Sequence, residues 1–241
     1  MITLDGLRLQ ATDAVFLDFD GTLVELGPDP DTVWLPEDLS PALSTLSQAL
    51  GGAVAVISGR DIRDLAQRVP GFLWRAGGHG LEIVPPGEEP GPEPPPPPTA
   101  VLTPLRRALD HPGVRLELKG PVAALHFRAA PAAEAACLSA AEAAAVDGYR
   151  VLPGKCVVEV KPAGADKGRA LARMVEHLPF AGRRPVILGD DTTDEDAMEV
   201  AQSLGGIGVK VGEGNSVAHR RAPDPVAVRN WLAHEATRLS R

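Results

Sequence analysis

The sequence predicts a doubly wound α/β fold, with a parallel sheet between layers of helices. Three apolar runs carry this prediction: AVFLDFD at 14–20, AVAVISGR at 53–60 and PVILGDD at 185–191. Their hydrophobicity is continuous rather than alternating, which is typical of strands buried on both faces. Helical patterns at 41–50 and 167–178 alternate with them, and this alternation indicates a Rossmann-like sheet.

Composition and net charge exclude several classes of protein function. The chain has 241 residues, 44% hydrophobic and 23% charged, which suits one globular domain with an insertion or two modest domains. The net charge of -8 argues against nucleic-acid binding, which requires a basic surface. Cys137 and Cys156 form neither a metal-binding spacing nor a disulfide framework. With no secretory signal and no apolar run of about 20 residues, we expect a monomeric cytoplasmic protein without a membrane partner.

A proline-rich segment separates two patterns. Residues 85–99 contain nine of the 24 prolines, and such a run favours an extended linker. We therefore expect a first core part at 1–86, a linker at 87–99, a small α/β insert at 100–162 and a second core part at 163–241. Within the insert, the patterns predict a helix at 101–111, a strand hairpin at 114–120 and 122–129, a helix at 132–145 and a strand at 156–162.

Acidic residues gather where the predicted core strands end. Asp18, Asp20, Asp190 and Asp191 would converge if the three strands are neighbours. Two like charges about 4 Å apart repel by about 4 kcal/mol at an effective dielectric constant near 20. Four such carboxylates need a compensating cation, and hard oxygen ligands suit Mg²⁺. The sequence therefore predicts a magnesium site.

A carboxylate in such a site can attack phosphorus and form an aspartyl-phosphate. Ser58 follows a predicted strand and Lys167 opens a predicted helix, so both are candidates for binding a phosphate group. Asp20 points the same way as Asp18 on an extended chain and could protonate the leaving alcohol and then activate water. A structural role stays open for several residues: Ser58 could cap the helix beginning at Asp61, and Thr193 or Asp194 could cap the helix that follows GDD.

The motifs DFDGTL, SGR, DKG and GDDTTDE, in this order and spacing, resemble those of the haloacid dehalogenase superfamily of phosphatases. The resemblance implies a core of that superfamily with an inserted cap domain. It also implies these roles: Asp18 as nucleophile, Asp20 as acid/base and as a metal ligand through its backbone carbonyl, Ser58, Gly59 and Lys167 as phosphate-binding residues, Asp190 and Asp191 as metal ligands, and Asp194 close behind them.

The insert is similar to the cap of trehalose-6-phosphate phosphatases, on the segments PGVRLELKGPVAALHFRAA and VLPGKCVVEVKPAGADKG. This resemblance implies hydrolysis of trehalose 6-phosphate with Mg²⁺. The residues it implies for binding the sugar are Glu117, Lys119, Arg128, Lys155 and Glu159, and Arg60 is a further candidate for substrate binding. Three alternatives stay open: a phosphatase for another phosphorylated sugar or sugar-glycerate, a phosphosugar mutase, and a non-catalytic sugar-phosphate sensor.

Overall fold

The computed structural model describes residues 2–146, 148–154 and 156–241. The chain divides into two compact units, which we call unit 1 (Met1–Pro90 and Asp166–Arg241) and unit 2 (Gly91–Ala165). In the part of the chain described, no helix is long and apolar enough to span a membrane.

The helices and strands follow one another along both units. The strands are β1 (Ile2–Thr3), β2 (Asp13–Leu17), β3 (Val54–Ile57), β4 (Trp74–Gly77), β5 (Glu82–Val84), β6 (Arg115–Lys119), β7 (Val122–His126), β8 (Tyr149–Gly154), β9 (Val157–Pro162), β10 (Arg184–Gly189), β11 (Ile207–Val211) and β12 (Arg220–Ala222). The α-helices are α1 (Leu39–Ala49), α2 (Ile62–Arg68), α3 (Thr99–Arg107), α4 (Glu134–Ala144), α5 (Lys167–Met174), α6 (Thr192–Ser203) and α7 (Pro225–Leu239).

Unit 1 contains a mainly parallel sheet with the strand order β1-β12-β11-β10-β2-β3-β4-β5. Each neighbouring pair is parallel except β4 and β5. The three strands predicted from apolar runs are the adjacent strands β10, β2 and β3. In their register, Leu17 pairs with Leu188 on one side and with Val56 on the other. The predicted doubly wound α/β fold is confirmed.

Burial on both faces explains the continuous apolar runs of these strands. Every residue of β2 and β3 is buried. On one face of the sheet, Leu43 of α1 and Leu232 of α7 belong to the same apolar core as Val15. On the other face, Leu171 of α5 and Met198 of α6 share a core with Phe16. A strand between two helical layers has no solvent-facing side that requires polar residues.

Unit 2 contains an antiparallel sheet with the strand order β6-β7-β9-β8. The predicted hairpin forms, with Lys119 opposite Val122 at the turn. Strand β8 was not predicted, because Pro153 and Gly154 both argue against a strand. In the structure β8 lies at the edge of the sheet, where proline is tolerated. Helices α3 and α4 contribute to the apolar core that covers one face of this sheet.

Most of the proline-rich segment belongs to unit 2. The unit begins at Gly91, earlier than the boundary at residue 100 expected from the sequence. The backbone N–H of Gly120 donates to Glu93 Oε1 at 3.3 Å, and a Cβ at Gly120 would lie 3.6 Å from Pro94 Cδ. Glu93 and Pro94 therefore lie against the β6–β7 turn.

Candidate active site

Three polar residues directly follow three neighbouring strands of unit 1. Asp18 follows β2, Ser58 follows β3 and Asp190 follows β10. Because these strands are parallel and adjacent, their carboxyl ends lie at the same edge of the sheet. Ligands of open α/β sheets bind at this edge.

Three carboxylates cluster at this edge. Asp18, Asp190 and Asp194 each place an oxygen within 4.8 Å of the other two. Asp18 and Asp194 are buried, and Asp190 is half-buried. Lys167, the first residue of α5, donates hydrogen bonds to Asp18 Oδ1 at 2.6 Å and to Asp194 Oδ1 at 2.7 Å. When all three carboxylates are ionised, one ammonium group leaves the cluster with an excess of negative charge.

The environment of the cluster shifts the pKa of its members. Burial, reinforced by the charge of Asp194, raises the pKa of Asp18 well above its usual value although Lys167 opposes the shift. Burial and Asp194 likewise raise the pKa of Asp190 to about 6. Burial alone would lower the pKa of Lys167, but the charges of Asp18 and Asp194 outweigh burial and raise it. The carboxylates are therefore costly to ionise together unless a further cation is bound.

Two glycines make room for the clustered carboxylates. A Cβ at Gly21 would lie 2.2 Å from Asp190 Oδ2, and a Cβ at Gly189 would lie 2.2 Å from Asp194 Cγ. Gly21 also has a positive φ of 79°, a backbone angle that residues other than glycine rarely adopt. The glycines in DFDG and GDD thus allow backbone and carboxylate to approach closely.

Asp191 and Asp194 make different contacts at the start of α6. Asp191, which the sequence predicts as a metal ligand, has an exposed side chain that accepts a 2.7 Å hydrogen bond from the backbone N–H of Thr192 and caps α6. Its part in metal binding stays a prediction. Asp194, which the sequence predicts close behind the metal ligands, places one carboxylate oxygen in the cluster. Its second oxygen accepts from the backbone N–H of Asp191 at 3.1 Å and completes a capping box. The helix cap is therefore Asp191, not Thr193 or Asp194.

Ser58 and Gly59 form a tight loop after β3. Ser58 is buried and its Oγ accepts a 3.1 Å hydrogen bond from the backbone N–H of Arg60. A Cβ at Gly59 would lie 2.8 Å from Cε1 of His79, so the His79 ring packs directly on this loop. The cap of α2 is Asp61, whose side chain accepts from the backbone N–H of Arg63, and the alternative that Ser58 caps this helix is wrong.

Asp20 forms an ion pair with Arg60 and is not one of the three clustered carboxylates. Arg60 donates from Nε and Nη2 to the two carboxylate oxygens of Asp20 at 2.6 and 2.7 Å. The sequence predicts Arg60 as a substrate-binding residue, and in the structure its guanidinium group faces Asp20. A bidentate pair fixes the orientation of both side chains.

Sequence reasoning did not identify Lys210 as part of the site. Its ammonium group donates to the backbone carbonyl oxygen of Asp190 and lies 3.9 Å from Glu195 Oε1. The side chain is largely buried at 8% exposure. Lys210 therefore fixes the backbone of a cluster residue. No strand is predicted at this position from the sequence, and the place of Lys210 near the end of β11, beside β10, is seen in the structure.

Most residues predicted to bind sugar lie on the sheet of unit 2. Glu117 on β6 lies 2.6 Å from His126 Nε2 and 3.5 Å from Lys119 Nζ. Glu159 on β9 stands in the same row across the sheet as Glu117, since both are in register with one β7 residue. Arg128 is exposed in the turn after β7, and Lys155 lies outside the described residues.

The comparisons with known proteins agree on one family. The family model described as Trehalose-phosphatase matches residues 16–225. The chain is 38% identical to the trehalose-6-phosphate phosphatase of Escherichia coli (strain K12), over 96% of this chain and 90% of that protein.

Solved structures share the fold. The C-terminal domain of the C. albicans trehalose-6-phosphate phosphatase has a TM-score of 0.76 at 23% identity, covering 94% of this chain and 92% of that one. A haloacid dehalogenase-like hydrolase from Bacteroides thetaiotaomicron has a TM-score of 0.64 at 15% identity, covering 94% and 98%. At these identities the likeness shows the fold alone. The family match and the 38% identity to the E. coli protein show that the chain belongs to the trehalose-phosphatase family.

Proposed function

We propose that the protein hydrolyses trehalose 6-phosphate to trehalose and inorganic phosphate, with Asp18 as the nucleophile and Mg²⁺ as the cofactor. One observation carries this proposal. Asp18 lies at the carboxyl edge of the sheet, hydrogen-bonded to Lys167 and clustered with Asp190 and Asp194. Such a group needs a divalent cation for charge balance, and its lysine suits an anionic substrate.

The donor set fits Mg²⁺. Carboxylate oxygens are the ligands that this ion prefers. Burial, reinforced by the charge of Asp194, raises the pKa of Asp18 and of Asp190, and a bound cation would offset this cost of ionisation. Asp18, Asp190 and the backbone carbonyl of Asp20 would hold the ion, while Asp194 keeps Lys167 in place. Bound Mg²⁺ would offset the negative charge of the phosphate and of the attacking carboxylate.

The residues of this chain divide the reaction into two halves. An oxygen of Asp18 attacks the phosphorus while the bond from phosphorus to the sugar oxygen breaks, and Asp20 gives that oxygen a proton. Water then attacks the phosphorus and gives a proton back to Asp20, while the bond from phosphorus to the Asp18 oxygen breaks and inorganic phosphate leaves. Lys167, the Ser58 hydroxyl and the Gly59 backbone N–H hold the phosphate oxygens.

We assign sugar recognition to unit 2. Glu117, Lys119 and Glu159 offer acceptors and donors on one face of its sheet, and Arg128 and Lys155 add two cationic side chains. Carboxylates and ammonium groups suit the hydroxyls of a disaccharide. Unit 1 would supply the chemistry and unit 2 the selectivity.

Phosphate release from a panel of sugar phosphates tests this function. We expect release from trehalose 6-phosphate to exceed that from monosaccharide phosphates and to stop when EDTA is added. Equal rates across the panel would contradict the substrate assignment. Transfer of phosphate between positions of a sugar, without release, would indicate a mutase, and binding without turnover would indicate a sensor.

A further inference from the structure

The guanidinium group of Arg60 is fixed on several sides. Besides its two bonds to Asp20, Nη1 donates to Asp64 Oδ2 at 2.9 Å and Nη2 donates to the carbonyl oxygen of Pro30 at 2.9 Å. Its Cζ atom lies 5.3 Å from the centre of the Phe19 ring. The side chain is 9% exposed. Four of the five N–H donors of this arginine are thereby used within the chain.

We propose that Arg60 is a positioning residue for Asp20 and does not bind the substrate. This inference rests on the proposed function, in which Asp20 exchanges protons with the sugar oxygen and with water. Asp20 has a short side chain that is 30% exposed, so its carboxylate could adopt several orientations. The planar fork of arginine matches both carboxylate oxygens and selects one orientation.

A second arginine, Arg68, binds the other carboxylate oxygen of Asp64 and so fixes the partner of Arg60. Arg68 donates from Nε to Asp64 Oδ1 at 2.9 Å and from Nη1 to the carbonyl oxygen of Val33 at 2.5 Å. Its guanidinium group lies 4.5 Å from the centre of the Trp34 ring. Asp64 is thus held between two arginines. The orientation of Asp20 depends on contacts that reach the segment before α1.

A double-mutant cycle between Arg60 and Asp20 tests the inference. We expect Arg60→Gln to lower kcat for trehalose 6-phosphate by roughly 10- to 100-fold, with KM changed by less than about threefold. In an Asp20→Asn background, Arg60→Gln should cause no further loss, because the group it positions is already disabled. A loss that multiplies with that of Asp20→Asn, or a rise in KM alone, would show that Arg60 acts on the substrate directly.

Matched variants separate positioning from folding. Arg63→Gln removes another α2 arginine, which pairs with Asp61 and Glu82, and should leave kcat unchanged. Arg60→Lys keeps the charge but loses the bidentate geometry, so it should reproduce most of the loss of kcat while the protein stays folded at the assay temperature. Asp64→Asn should cause a smaller loss of kcat.

The outcomes distinguish this inference from the proposed function. If the parent protein releases phosphate and Asp20→Asn impairs it, while Arg60→Gln and Arg60→Lys keep full activity, the positioning role is wrong and the proposed function stands. A parent protein that releases no phosphate would overturn both.

Discussion

Lys167 and Asp18 are separated by 149 positions in the sequence, yet the lysine donates a 2.6 Å hydrogen bond to the aspartate. Both side chains are buried, at 3% and 5% exposure. Asp194 shares the same ammonium group. Because a buried charge is stable only when it is paired, this contact joins the stability of unit 1 to the chemistry of the site.

Replacing Lys167 should affect both folding and turnover. We expect Lys167→Met to lower the free energy of unfolding by roughly 3–5 kcal/mol without Mg²⁺, since two buried carboxylates lose their partner. Activity should fall by at least about 100-fold. Adding Asp18→Asn should recover part of the stability and none of the activity. Denaturant unfolding checks this, and a fully stable Lys167→Met would contradict the electrostatic account.

Gly21→Ala should disturb the carboxylate cluster. The new Cβ would lie 2.2 Å from Asp190 Oδ2 at a backbone φ of 79°. Gly87→Ala is the matched control, because Gly87 has the same φ of 79° and nothing within 4 Å of a built Cβ. Both variants should lose about 1 kcal/mol from the left-handed backbone. We expect Gly21→Ala alone to lose Mg²⁺ affinity in calorimetric titration, and equal affinity in both variants would be the contrary result.

The stabilisation by Mg²⁺ should depend on pH. The pKa of Asp190 is raised from 3.8 to about 6, so between these values the folded chain binds the proton more tightly than the unfolded chain does. Through this group, stability without metal falls as the pH rises through that window. Protons and Mg²⁺ compete for the same oxygens.

We therefore expect Mg²⁺ to raise the melting temperature at about pH 7.5 and to lose most of that effect at about pH 5. Asp190→Asn should abolish the Mg²⁺ effect at both values. An increase of the same size at the two pH values would count against the cluster as the metal site.

Glu117→Gln should impair use of the sugar substrate without affecting the chemistry. We expect kcat/KM for trehalose 6-phosphate to fall by about 10-fold or more, because a site built to bind hydroxyls loses a strong acceptor. Hydrolysis of an aryl phosphate should stay within about twofold of the parent. Glu142→Gln, on the exposed side of α4, is the control. Equal losses on both substrates would mean that Glu117 acts in folding.

The central strands of unit 1 could be predicted from the sequence because burial on both faces leaves a simple signal. β2, β3 and β10 are continuous apolar runs, and Asp18, Ser58 and Asp190 follow them directly. Predicted helix 167–178 ends earlier, at Met174. Pro179 disfavours helical backbone at Leu178, the residue before it, and so sets only an outer limit for the helix. The hydrophobic pattern between Met174 and Leu178 does not indicate where the helix ends.

Other features depend on contacts that no local pattern contains. Asp191 and Asp194 have the same side chain, so the amino-acid sequence does not show which of them caps α6 and which joins the carboxylate cluster. The Arg60–Asp20 pair spans 40 positions, and an arginine after a strand suits either a substrate or a neighbouring carboxylate. Lys210 reaches the Asp190 carbonyl from a different strand. These choices are made by packing in three dimensions.

Chemical trapping of the phosphorylated residue tests the central claim most directly. Asp20→Asn protein with Mg²⁺ would be mixed with an aryl phosphate, whose leaving group needs no proton, then quenched in acid and reduced with borohydride. Borohydride converts an aspartyl-phosphate into homoserine, which peptide mass spectrometry can locate. We expect homoserine at position 18 and none in the Asp18→Asn/Asp20→Asn chain. Homoserine at another aspartate in a chain that turns over substrate would contradict the account.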